Sequence, residues 1–176
     1  MNLLETVQKD LGYEPLKKVD PNSQEIKSAG EMTPNQKLAQ AAIPAVLAAL
    51  IKYSDSPEGI NLLTGENKNW LKLIYQGKEN FAAKQVAEYA SVSEQDATNT
   101  MEKIAEESVS VVRQNLKNAD AEKLRSYMNS QRHNILNHLP AALKIGDLLN
   151  EEVFDDRTNK MEGPVSSMMH KIENLL

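Results

Sequence analysis

The stretch "AAIPAVLAAL", residues 41–50, decides how this chain folds. It is apolar on every side, and with Ile51 it forms the longest wholly apolar run in the chain. A helix that is apolar all round belongs in the middle of a protein. Upstream, Thr33-Pro34-Asn35-Gln36 has the form of a helix start: a capping threonine, proline at the first helical position, and Gln three residues after the cap. Downstream, "SDSPEG" turns the chain, so the spacing predicts a helix from Pro34 to about Tyr53. Pro44 then falls ten residues inside it. Its ring excludes the bond to the Gln40 carbonyl and should kink the helix there. The alanines on either side let other helices approach closely.

The same oddity recurs in "NHLPAALKIGDLL", residues 137–149. Pro140 frees the carbonyl of Leu136 and bends or breaks the helix near residues 137–139, with Asn137 available to cap the next turn. The two proline motifs agree over five residues only, Ile43–Leu47 and Leu139–Leu143, and do not establish a duplication. The structural reading is two core helices bent or broken at proline. The functional reading is a freed carbonyl lining a ligand cavity.

Outward from these stretches the periodicity is helical almost throughout, with no convincing alternating strand. Leu3, Leu4, Val7 and Leu11 share a face, and Gly12 offers a stop. Asp20-Pro21 can start a short helix ending at Gly30, and Ser56-Pro57 another ending at Gly65. "NWLKLIYQG" predicts a helix from about Asn67, and Phe81, Ala82, Val86 and Ala90 mark the next. Ser93 caps a long helix whose core stripe is Ala97, Met101, Ile104, Ser108, Val111, Val112 and Leu116. Asp120 caps one with Leu124, Met128, Gln131, Ile135 and Leu139. "NEEVFDD" has the composition of a turn. The last helix should begin near Pro164, with Val165, Met168, Met169, Ile172, Leu175 and Leu176 on one face. The fold class is all-α: a compact bundle of about eight helices, two of them bent or broken at proline. Residues 1–32 form an N-terminal helix and linker, and residues 33–176 a helical core domain that includes the amphipathic C-terminal helix.

Composition limits what this bundle can be. A chain of 176 residues suffices for one domain with a real core. Aromatics make up 5% of it, so the core must be aliphatic. Cysteine is absent, which excludes disulfides and thiolate metal sites and fits a reducing cytoplasm. A net charge of −5 leaves no basic footprint for nucleic acid. The N-terminus lacks the long apolar run of a secretory signal, and no apolar run approaches the ~20 residues of a membrane span. These features predict a soluble cytoplasmic protein.

Three segments also carry a family resemblance. "TPNQKLAQAAIPAVLAALIKYSDSPEGINLL" resembles the opening unit of the YidB-like family of uncharacterised bacterial helical proteins, which tends to show an "lPalLaaL" core and an "SpeG" turn. "LIYQGKENFAAKQVAEYASVSEQDATNTMEKIAEESVSVV" is similar to its middle part, and "LRSYMNSQRHNILNHLPAALKIGDLL" to its closing segment. The resemblance covers about residues 33–149. Ala90-Ser91 stands where a glycine is common, and Ser108 replaces an expected proline. The resemblance implies an all-helical fold and brings no catalytic residues with it.

The residues themselves offer little chemistry. His133, His138 and His170 lack a carboxylate three positions earlier, so no Glu-x-x-His metal pair forms. Ser130 and His133 can meet on one helix, but no orienting acid or oxyanion hole lies nearby. Glu106-Glu107 and Glu151-Glu152 with Asp155-Asp156 suit a solvated surface, and no calcium-loop or phosphate-loop pattern is present. Trp70, Tyr75 and Phe81 form the one aromatic concentration, expected to anchor helix packing. No catalytic residue, metal or cofactor is expected. The leading reading is a non-enzymatic interaction or scaffold domain that meets itself or another protein. Its contact surface is the C-terminal stripe Val165, Met168, Met169, Ile172, Leu175 and Leu176, where Met161, Met168 and Met169 suit an adaptable surface. The alternatives are a module binding an apolar small molecule or lipid, and an enzyme with a dispersed site.

Overall fold

The structure, a computed structural model, describes residues 2–20, 26, 32–66 and 69–150. Among these are eight α-helices: α1 (Leu3–Asp10), α2 (Pro34–Asp55), α3 (Asn61–Thr64), α4 (Trp70–Ile74), α5 (Glu79–Ala90), α6 (Glu94–Asn115), α7 (Ala121–Leu136) and α8 (Ile145–Leu149). Single 3-10 turns at Pro57–Ile60 and Ala141–Leu143 join them. The described residues contain no sheet; Val19 and Ile26 form one isolated antiparallel bridge. Of the helix expected over 20–30 only Asp20 and Ile26 are described, and Ile26 takes part in the bridge to Val19; the turn after Asn150 and the helix expected from Pro164 lie outside the described residues.

Helix α2 is the axis of the bundle. Its start is the capping box read from the sequence: the Thr33 hydroxyl accepts from the Gln36 N–H at 3.3 Å, and the Gln36 side chain accepts from the Thr33 N–H at 2.8 Å. Every residue from Leu38 to Ile51 is buried. Around it pack α1, α4, α5, α6, α7 and α8. The helix runs through the buried Pro44 without a break. Proline carries no N–H, so burying it strands no donor and costs only the partner of one carbonyl.

Pro140 behaves differently. Helix α7 ends at Leu136, and Asn137 closes it by donating its N–H to the His133 carbonyl at 3.2 Å. Asn137 is therefore the end of α7, not a cap for the next turn. The freed Leu136 carbonyl accepts instead from the Leu139 N–H at 3.3 Å. Pro140, in an extended conformation, opens the 3-10 turn that leads into α8. The same residue type is thus tolerated inside one helix and terminates another. Pro44 lies within a long helix buried on all sides, whereas Pro140 lies past α7, whose buried residues are only Leu124, Met128 and Ile135.

Most of the expected stripes face the core. Leu3, Leu4 and Val7 share one hydrophobic cluster with α2, so the N-terminal helix contributes to the core that the later helices build. Ala97, Met101, Ile104, Ser108, Val111 and Val112 of α6 are buried, with Leu116 partly so. Ser108 is accommodated because its hydroxyl donates back to the Ile104 carbonyl at 2.6 Å. Phe81 departs from expectation: it is 67% exposed. The buried residues of α5 are Ala82, Ala83, Val86, Ala87 and Ala90, and at 100° per residue Phe81 projects from roughly the opposite side. Helix α5 ends on Ser91 in the left-handed region, at φ 57°. Glycine adopts that conformation more readily.

Buried glutamines tie the N-terminal segment down. Gln40, 2% exposed, accepts from the Lys17 N–H at 2.8 Å and donates to the carbonyls of Lys17 at 3.0 Å and His138 at 2.9 Å. Gln8 accepts from the Leu16 N–H at 3.2 Å, and Gln131 from the Leu3 N–H at 2.9 Å. The chain between α1 and α2 is thereby stitched to the α7–Pro140 corner.

Leu47 is fully buried at the centre of α2. Leu47→Ala should lower unfolding free energy by about 2–5 kcal/mol in urea melts. A near-neutral result would remove α2 from the centre of the fold.

Candidate contact surface

The three aromatics divide between two roles. Trp70 opens α4 and is 7% exposed; the Asn69 side chain caps that helix by accepting from the Lys72 N–H at 2.9 Å. The Arg113 guanidinium lies 4.9 Å from the Trp70 ring centre. The same guanidinium donates to the carbonyl of Leu62 at 2.7 Å and to that of Gly65. A cation thus neutralises the carbonyl end of α3 while stacking on an indole face. Nothing in the sequence marks Arg113, because an arginine in the last turn of an amphipathic helix looks like ordinary surface. Tyr75 is buried, and its hydroxyl donates to the Ala45 carbonyl at 2.9 Å, one residue past Pro44. Trp70 and Tyr75 hold α4 to the core as expected of the aromatic concentration. Phe81 does not belong with them.

Phe81 lies in a shallow surface groove between α5 and α8, about 420 Å³ in volume. Lys84, Gln85 and Glu88 follow Phe81 by three, four and seven positions, so one face of α5 forms a wall. Lys144, Asp147 and Leu148 form the other. The Lys78 ammonium donates to the Leu148 carbonyl at 2.8 Å and fixes α8 against the start of α5. The Gln85 side-chain oxygen is buried and accepts no hydrogen bond. The groove thus sets an exposed aromatic ring among charges of both signs, Lys84 and Lys144 beside Glu88 and Asp147.

A second concavity, about 540 Å³, lies between residues 12–17 and the start of α2. Leu16, Leu38 and Ala39 line it together with Tyr13, Gln36, Gln40 and Thr100. Its polar groups largely satisfy one another: Gln36 donates to the Glu14 carboxylate at 2.6 Å, and Gln40 is bonded to Lys17 and His138. Gln40 is also the residue whose carbonyl Pro44 frees. Neither proline lines this cleft.

The histidines do not converge on a site. His138 is buried, its Nδ1 2.8 Å from the Asn134 carbonyl; His133 is exposed, its Nε2 3.1 Å from the Asn137 amide; His170 lies outside the described residues. The Ser130 hydroxyl donates to the Tyr127 carbonyl at 2.6 Å instead of facing an imidazole as a nucleophile would. Among the described residues no group of three or more His, Cys, Asp or Glu is placed to hold a metal ion, and no helix is long and apolar enough to cross a membrane. Burial pushes the phenols of Tyr13, Tyr75, Tyr89 and Tyr127 upward, with a bond from Thr100 partly offsetting it at Tyr13. These four sit on different elements. The interaction stripe Val165, Met168, Met169, Ile172, Leu175 and Leu176 lies outside the described residues, as does the acidic run 151–156. No family model, curated protein or solved structure matches the chain.

The buried Tyr75 phenol gives a pH dependence with a definite sign. Its pKa is raised in the folded state, so its contribution is present below the unfolded value near pH 10 and is lost as pH rises beyond it. Tyr75→Phe should cost about 1 kcal/mol at neutral pH through the lost bond to Ala45, and its stability should fall less steeply than that of the parent above about pH 10. Parallel alkaline slopes in the two proteins would contradict this assignment.

Proposed function

We propose that this chain is a helical protein-interaction or scaffold domain with no chemistry of its own. The observation that carries this reading is Phe81: among the described residues an otherwise well-buried aliphatic core leaves this one large aromatic in water, on the wall of a surface groove. A ring of that size returns about 1.5–3 kcal/mol when a partner covers it. The six-residue stripe on the C-terminal segment is the second half of the contact surface, and the partner is another copy or another protein. A cytoplasmic site and the resemblance to the YidB-like family belong to this reading. The first is supported by the lack of cysteine, the second by the motifs over 33–149. The resemblance adds no catalytic residue.

A second reading is favoured by the 540 Å³ cleft, which falls within the usual range for small-molecule sites. It makes the chain a carrier whose ligand rests on Leu16 and Leu38. Its weakness is the mutual pairing of the polar groups around it.

Native mass spectrometry of freshly purified protein separates the two. The interaction reading predicts chain masses alone or in protein assemblies, with no small molecule retained. A stoichiometric small-molecule adduct that is lost on Leu38→Asp would overturn it in favour of the carrier.

A further inference from the structure

The Phe81 groove needs an occupant, and the chain itself supplies one that fits. We propose that residues 164–176 of the same chain dock in the groove between α5 and α8. This deepens the interaction reading and rests on its identification of the groove as a contact surface.

Three observations converge. First, the groove is apolar at Phe81 and the partly buried Leu148 but too shallow to shelter Phe81. Second, the described chain ends at Asn150, two residues after Leu148, which itself lines the groove. The fourteen residues from there to Pro164 can span roughly 45–50 Å when extended, ample for a return to a wall of the same groove. Third, the segment carries an apolar stripe at helical spacing that includes Met168 and Met169. Thioethers adapt to irregular surfaces and make favourable contacts with aromatic rings.

The same chain is favoured over a second copy by concentration. A short tether holds the stripe near its groove at an effective concentration of order millimolar, which a separate molecule does not match in dilute solution. Docking in this form covers Phe81 and leaves the groove free only when the segment is displaced.

The absence of native cysteine allows a clean test on the full-length chain. Asn80→Cys places a nitroxide label beside Phe81 on an exposed position outside the groove walls. Methyl resonances of Met168 and Met169, in chains carrying both label and isotope, should lose most of their intensity and regain it on reduction of the nitroxide. The loss should be independent of protein concentration. It should disappear in Phe81→Ala, a substitution at an exposed site that leaves the fold intact. An equimolar mixture of spin-labelled, isotope-free chains with isotope-labelled, spin-free chains should show no loss. Unaffected methyl signals, a loss that survives Phe81→Ala, or a loss seen only in the mixture would each overturn the proposal. A tail that misses the groove refutes this proposal alone, whereas a retained small molecule refutes the interaction reading and leaves the docking result standing.

Discussion

A run of backbone with no access to water must satisfy its own hydrogen bonds, and from Leu38 to Ile51 this chain does so by forming a helix that buries every side chain. The rest of the fold surrounds that helix. Alanine at positions 39, 41, 42, 45, 48 and 49 keeps the axis thin, so neighbouring helices approach closely. Leu47, Leu50 and Ile51 are fully buried and supply most of its bulk beyond Pro44. Pro44 is the one irregularity, and its chemistry limits the cost: it removes a donor together with that donor's bond, leaving only an acceptor to be accommodated. Tyr75 donates to the Ala45 carbonyl next door and fixes α4 at the same level.

Polar groups decide where the less apolar segments attach. A loop over an aliphatic core has backbone groups to satisfy, and Gln40, Gln8 and Gln131 do this with one amide each. Gln40 is the most consequential, because it joins residue 17 to residue 138 across the axis. At the other end of the bundle Arg113 has the same function, holding the carbonyl end of α3 and the face of Trp70. Hydrophobic burial sets the helices in place, while a few side chains with several donors and acceptors fix how the connections run between them.

Much of this was legible in the sequence. The Thr33–Gln36 capping box, the Ser93 and Asp120 caps and the stripes of α1, α6 and α7 rest on local signals, and local signals survive folding. What the sequence concealed depended on partners far along the chain. Phe81 joins Ala82, Val86 and Ala90 if one counts apolar residues, yet it sits on the opposite side of the helix because Ala83 and Ala87 complete the buried face. Arg113 and Gln40 are polar residues whose partners lie 23 to 98 positions away, and nothing in their immediate neighbours marks them. The two prolines show the same limit: both are buried and have similar flanking residues, yet α2 runs unbroken through Pro44 while α7 has already ended at Leu136 before Pro140.

The central claim is that α2 is the last element to open. Native-state hydrogen exchange addresses it residue by residue. Amides from Leu38 to Ile51 should be the slowest in the protein and should exchange only through global unfolding, with the same denaturant dependence as the unfolding transition itself. The amides after Pro44 should be as protected as those before it. Exchange of residues 45–51 through a local opening, with little denaturant dependence and ahead of α6 and α7, would contradict the account and make the proline a hinge in the middle of the molecule.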